Sequence, residues 1–152
     1  MRRVFVALAT VMMVAIVAQF FLAAMSAFDT APKEESFELH RALGYGILLL
    51  AVVLTLLAAL ARMPGRLIGM TGLAGGLVLL QAVIATIANA LADPAGASST
   101  AGKLVFGLHA VNALIIFGVV EDVQRRSREL TGPRTKNESA SSAGTRASTT
   151  AP

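Results

Sequence analysis

The chain has no cysteine and no tryptophan, few aromatic residues and little charge: Asp, Glu, Lys and Arg make up 14% of it. Without cysteine, disulfides, thiolate metal sites and cysteine nucleophiles are all excluded. An ordinary soluble domain carries about a quarter charged residues, and the shortfall here is not evenly spread. It falls in four runs with no charged side chain, residues 4–28, 42–61, 67–92 and 104–120.

What fills those runs is Leu, Ala, Val and Ile. A helix needs roughly 20 apolar residues, within a range of about 17–25, to cross the hydrocarbon core. The first three runs reach that length and the fourth lies at its short end. Backbone polar groups left unpaired in lipid cost several kcal/mol each, so each run must be helical. The expected fold is all-α: an integral membrane, antiparallel four-helix bundle within residues 1–130, with spans of about 4–28, 39–61, 67–92 and 104–124.

The first run follows Met1-Arg2-Arg3 and ends near Ala23-Ala24-Met25-Ser26-Ala27, which has the outline of a cleavable signal. A signal's apolar region is about 7–15 residues, however, and this one is longer, so it reads as an anchor. Met63-Pro64-Gly65 is a turn short enough to join only neighbouring antiparallel helices. Residues 93–102 are expected to form a small, flexible loop. Beyond Leu130 the sequence is polar, low in complexity and without a large apolar residue. Residues 131–152 cannot bury enough to order themselves and are expected to form a disordered cytoplasmic tail.

The thirteen Lys and Arg outnumber the nine Asp and Glu, and the pI is about 10.4. Alternating spans account for this without nucleic acid. Arg2, Arg3, Arg62, Arg66, Arg125, Arg126, Arg128, Arg134, Lys136 and Arg146 then fall on one side. The other side holds Lys33, Arg41 and Lys103 together with Asp29, Glu34, Glu35, Glu38 and Asp93. The positive-inside rule places both termini in the cytoplasm of a bacterial plasma membrane. The partners expected are the lipid bilayer and a membrane protein or second copy.

The polar residues within the apolar runs carry the functional reading: Gln19, Gln81, Thr86, Asn89, His109 and Asn112, with His40 and Arg41 opening the second span. Ionisable groups at such positions usually face the bundle interior. His40 and His109 are the two histidines of the chain, and they fall on alternate spans in the outer half of the bundle. Two imidazoles so placed are suited to hold a haem iron from opposite faces. Gly44, one turn beyond His40, and Gly107 and Ala110 beside His109 leave room for a macrocycle. Asn112, three residues after His109, shares its face, and Arg41 is suited to pair with a propionate.

A cofactor-free reading accounts for the same residues. His40 and Arg41 then sit among head groups, while Gln81, His109 and Asn112 fasten helices to one another. Depth separates the two readings. From His40 to Arg62 is 22 residues, and from His109 to Arg125 is 16. If those arginines share a plane, the histidines differ in level by roughly 9 Å at about 1.5 Å per residue. The glycines of residues 72–76 precede no phosphate-loop lysine and serve helix packing. With no carboxylate at the bundle centre and two histidines alone, neither a proton-conducting transporter nor a hydrolytic metal triad is assembled, and no catalytic activity of its own is expected.

FELHRALGYGILL, LAGGLVLLQAVIATIAN and GLHAVNALIIFGV together resemble one four-helix half of haem A synthase, and the pattern is similar to small actinobacterial four-helix membrane proteins without an assigned function. The resemblance runs over residues 4–121. It implies that His40 and His109 occupy the family's haem-ligand positions and that a b-type haem is the cofactor. The family also has a carboxylate shortly before its first histidine; Glu35 and Glu38 stand near, but neither at its spacing of three. One half in place of two implies haem binding for electron transfer or haem handling, without the full synthase reaction.

Overall fold

The computed structural model describes residues 1–91 and 99–130. The tail at 131–152 and most of the expected loop at 93–102 lie outside the described residues. Among the described residues, every regular element is helical: α1 (Arg2–Ala27), α2 (Lys33–Ser36), α3 (Glu38–Leu60), α4 (Gly65–Ala90) and α5 (Thr100–Glu129). α1, α3, α4 and α5 are each long and apolar enough to cross a membrane. At about 1.5 Å per residue they run from roughly 35 to 45 Å, against a hydrocarbon core of about 30 Å. They are apolar around their whole circumference. Val14, Phe21, Leu49, Leu60, Leu73, Val83, Leu104 and Leu114 all lie exposed on the outside, which in water is untenable and in lipid is the ordinary surface of a span.

The four long helices stand at the corners of a square. α1 packs on α3 and α5, and α4 packs on the same two, so α1 faces α4 and α3 faces α5 across the diagonals. The contacts have a clear register. Ser26 reaches Ser36 and Gln19 reaches His40. Gly75 approaches Ala51 and Gly72 approaches Thr55. Asn112 reaches Leu77 and Gly102 approaches Ala88, while Gln124 reaches Thr10. A Cβ added at Gly75 would lie 3.6 Å from that of Ala51, so the glycine brings α3 and α4 together, as small residues do between membrane helices.

The ends have local causes. α1 stops before Phe28-Asp29, where Asp29 Oδ1 accepts from the Ala31 N–H at 3.0 Å. The four-residue α2, absent from the sequence reading, begins after Pro32, whose ring fixes a helix-compatible entry. Ser26 and Ser36 tie it to the end of α1 through the Ser26 hydroxyl, which donates to the Ser36 carbonyl. α3 closes in a Schellman motif: the Met63 N–H donates to Ala58 and the Arg62 N–H to Ala59. The motif needs a left-handed residue after the cap, and Arg62 supplies it with φ of 50°. Ser99 caps α5, its hydroxyl accepting from the Gly102 N–H at 3.0 Å.

α5 runs further than the uncharged run 104–120 at both ends. At its far end Glu129 and Leu130 face Pro64 and Arg66 at the start of α4. The level of Arg62 and Arg66 therefore meets α5 near Glu129 rather than Arg125. Counted to Glu129, the distance from His109 is 20 residues against 22 from His40 to Arg62, and the offset of roughly 9 Å falls to about 3 Å. The depth difference dissolves because α5 projects beyond the apolar layer.

The core is unequally distributed along the bundle. Phe5, Met12, Leu54, Leu67, Val120 and Val123 fill the half that holds the chain start, almost wholly inaccessible. The opposite half carries Gln19, Ser26, His40, Gln81, His109 and Asn112. Hydrogen bonds between helices are concentrated there, although Gln124 also donates to Thr10 in the apolar half, where Thr71 and Ser127 are buried as well.

Candidate functional site

His40 lies in the first turn of α3 and His109 in the third turn of α5, on helices that face each other across the diagonal. Their rings nonetheless meet, with centres 6.2 Å apart and planes inclined at 44°. Each imidazole rests on a phenylalanine three residues earlier, the spacing that puts two side chains on one helix face. Phe37 meets His40 edge-on at 5.8 Å and 86°. Phe106 stacks on His109 at 5.2 Å and 3°.

The His40 ring is oriented from α1. Its Nδ1 lies 3.2 Å from the Gln19 backbone carbonyl. A carbonyl can only accept, so Nδ1 carries the proton and Nε2 keeps its lone pair. The Gln19 side chain holds the same residue from behind, Nε2 donating to the His40 carbonyl at 2.8 Å. Gln19 Oε1 and His109 Nδ1 are both buried and form no hydrogen bond among the described residues.

The five residues singled out in the sequence reach different places. His40 and His109 come together. Gly44 lies below His40, where a Cβ would stand 3.3 Å from Gln19 Nε2, so the glycine makes room for the clamp. Asn112 is buried at 4% exposure and its Nδ2 donates to the Leu77 carbonyl and to Gln81 Oε1, both at 2.9 Å. Its amide nitrogen is thus committed to α4. Arg41 is exposed and donates to the Glu34 carbonyl, bracing α2 against α3. Glu35 and Glu38 lie exposed near this end. Among the described residues no three of His, Asp and Glu gather closely enough to hold a metal ion.

Phe37, Phe106 and the backbone of Gln19 escaped the sequence reading, which looked for polar side chains in apolar runs. A signal for them exists. Phe37-Glu38-Leu39-His40 and Phe106-Gly107-Leu108-His109 repeat the pattern Phe-x-Leu-His. Gln19 and Gln81 are each followed seven residues later by a buried small residue, Ser26 and Ala88. The pair α1 and α3 and the pair α4 and α5 thus each present a histidine with an aromatic ring three residues before it, while the glutamine carbonyl beside the ring belongs to His40.

A family of unknown function, DUF6220, matches residues 19–88, from the Gln19 clamp through His40 to the buried end of α4. No curated protein matches the chain. No solved structure matches it either.

Proposed function

We propose that the chain is a multi-pass plasma-membrane protein, an antiparallel four-helix bundle with cytoplasmic termini, that holds a b-type haem between His40 and His109. The observation that carries this reading is the meeting of the two imidazoles across the diagonal with the His40 tautomer fixed. Two imidazole nitrogens each about 2.0 Å from one metal ion put their ring centres roughly 6 Å apart, and the separation here is 6.2 Å. Ligating histidines also typically donate their other N–H to a carbonyl, as His40 does to Gln19.

Two protein ligands do not satisfy a bare zinc or copper ion, which takes three or four. They do satisfy a metal that brings its own equatorial ligands. This favours a macrocycle over a free ion, the kind of ligand that a resemblance to one half of haem A synthase would imply. Haem iron held by these two histidines would supply one-electron oxidation and reduction. The chain's own residues fix the imidazoles: Gln19 sets the His40 tautomer, and Phe37 and Phe106 pack against the rings.

Orientation and topology rest on charge and register. Arg2, Arg3, Arg62, Arg66, Arg125, Arg126 and Arg128 gather at the end away from the histidines, which favours that end as cytoplasmic. The residue pairings along each helix couple support alternating directions. The haem then lies toward the outer face.

A second reading has its own observation. His109 lies parallel to Phe106, and an imidazole packed this way serves equally as a wedge between helices in a cofactor-free subunit that binds another membrane protein. An absorption spectrum of the detergent-purified protein from haem-replete cells separates the two. Low-spin bis-histidine bands that vanish in His109→Ala support haem; a colourless protein overturns it.

A further inference from the structure

At the end of the bundle opposite the histidines, α4 begins beside the last turn of α5, and a half-open cavity of about 230 Å³ lies between them. Its lining is Pro64, Arg66, Leu67, Arg126, Glu129 and Leu130. Small-molecule pockets run from about 300 Å³ upward, so this one suits a small head group rather than a larger ligand. The level is that of a lipid head group. Arg66 directly precedes the uncharged run of α4, and Arg126 stands six residues beyond that of α5, about 9 Å along the axis.

We infer that this cavity binds a phosphate group between Arg66 and Arg126. Guanidinium groups match phosphate oxygens in a two-pronged fashion. Arg66 is exposed and has no ion-pair partner among the described residues. Arg126 uses its Nε on Asp122, at 2.8 Å, and its terminal N–H groups make no further hydrogen bond among the described residues. Glu129, on the same lining, opposes a second negative charge. Asp122 already offsets part of the Arg126 charge and Glu129 lies on the same lining, so at most one positive charge is in excess, which favours a singly charged phosphodiester over a doubly charged phosphomonoester. Leu67 and Leu130 supply an apolar wall beside it. The shared chemistry admits two sources, the head group of an anionic phospholipid and free phosphate, and the test distinguishes them.

The full chain is reconstituted in nanodiscs of phosphatidylcholine, with and without phosphatidylglycerol, and retained lipid is counted by native mass spectrometry alongside the thermal midpoint. Phosphatidylglycerol is expected to be retained and to raise the midpoint. Arg66→Gln should weaken its retention about tenfold, the loss of one charged hydrogen-bonding group. Arg125→Gln, at the same end but outside the cavity, should leave retention near that of the unaltered protein. Glu129→Gln should shift preference toward phosphatidic acid. Inorganic phosphate added to phosphatidylcholine discs reads the second source; protection there that Arg66→Gln removes assigns the site to free phosphate. Equal weakening by Arg66→Gln and Arg125→Gln would reduce the effect to general charge attraction and overturn the site. So would a midpoint and lipid count that neither additive moves. The midpoint of Arg66→Gln in phosphatidylcholine alone verifies that the variant is folded.

Discussion

Gln19 holds His40 at two points, one on the main chain and one on the ring. Its amide donates to the His40 carbonyl at 2.8 Å, and its own carbonyl receives the Nδ1 proton at 3.2 Å. The second contact is made by backbone, so no substitution at position 19 removes it directly. That asymmetry separates what the side chain does from what the helix does.

Gln19→Leu is therefore expected to lower stability only modestly. Interhelical hydrogen bonds in membranes contribute about 0.6 kcal/mol on average and about 1.7 at most, and the buried, unpaired Oε1 is removed with the amide. The ring keeps its tautomer, so any haem absorbance should persist with at most a small shift. Unfolding in detergent micelles measures the first, and an optical spectrum the second. A loss of pigment equal to that of His40→Ala would mean the amide, not the α1 backbone, sets the ring.

His109→Gln tests the pair from the other side. Glutamine preserves a polar group of moderate length beside Phe106 but is not a haem ligand. The thermal midpoint is expected to fall by a few degrees at most while bis-histidine absorbance disappears. An unchanged spectrum would remove His109 from the ligand set.

Much of this architecture is legible in the sequence because lipid imposes a simple rule. Long uncharged runs must be helical, and their lengths give the four spans. The elements that escape are those governed by other physics. α2 is held by Ser26, Ser36 and Asp29, short hydrogen bonds that no periodicity announces. α5 outruns its apolar segment because residues 121–129 lie outside the oil yet keep helix-forming Glu, Gln and Arg, with Asp122 bridging to Arg125 and Arg126 within one turn. At the site, the histidines stand out against the apolar background and Phe37 and Phe106 do not, since a phenylalanine among leucines carries no contrast. Only the doubled Phe-x-Leu-His pattern marks them.

The α3–α4 turn yields a backbone prediction. Arg62 adopts φ of 50°, a conformation that disfavours an L-residue by roughly 1–2 kcal/mol and leaves glycine unpenalised. Arg62→Gly and Arg62→Ala remove the same charge and side chain, but alanine keeps the penalty. The glycine variant is expected to be the more stable of the two by about 1 kcal/mol, measured as the difference between their unfolding free energies. Equal stability would mean that the turn relaxes away from the Schellman geometry.

Two glycines of α5 should respond oppositely to the same change. A Cβ at Gly102 would lie 3.1 Å from the Ala88 carbonyl oxygen and 3.3 Å from the capping Ser99 hydroxyl, whereas one at Gly118 meets nothing within 4 Å. The Ala88 oxygen is backbone and cannot swing aside, so Gly102→Ala must push the start of α5 off the end of α4. A cost of about 1–3 kcal/mol is expected for such overpacking. Gly118→Ala faces open space and should be neutral or slightly stabilising, since alanine is the better helix former. Because Gly102 lies two turns from His109, the displaced helix should also disturb the imidazole pair. Gly102→Ala is thus expected to alter the absorption spectrum as well as the thermal midpoint, while Gly118→Ala leaves both in place. If both variants behave alike, the contact between α4 and α5 at Ser99 is not what sets the position of His109.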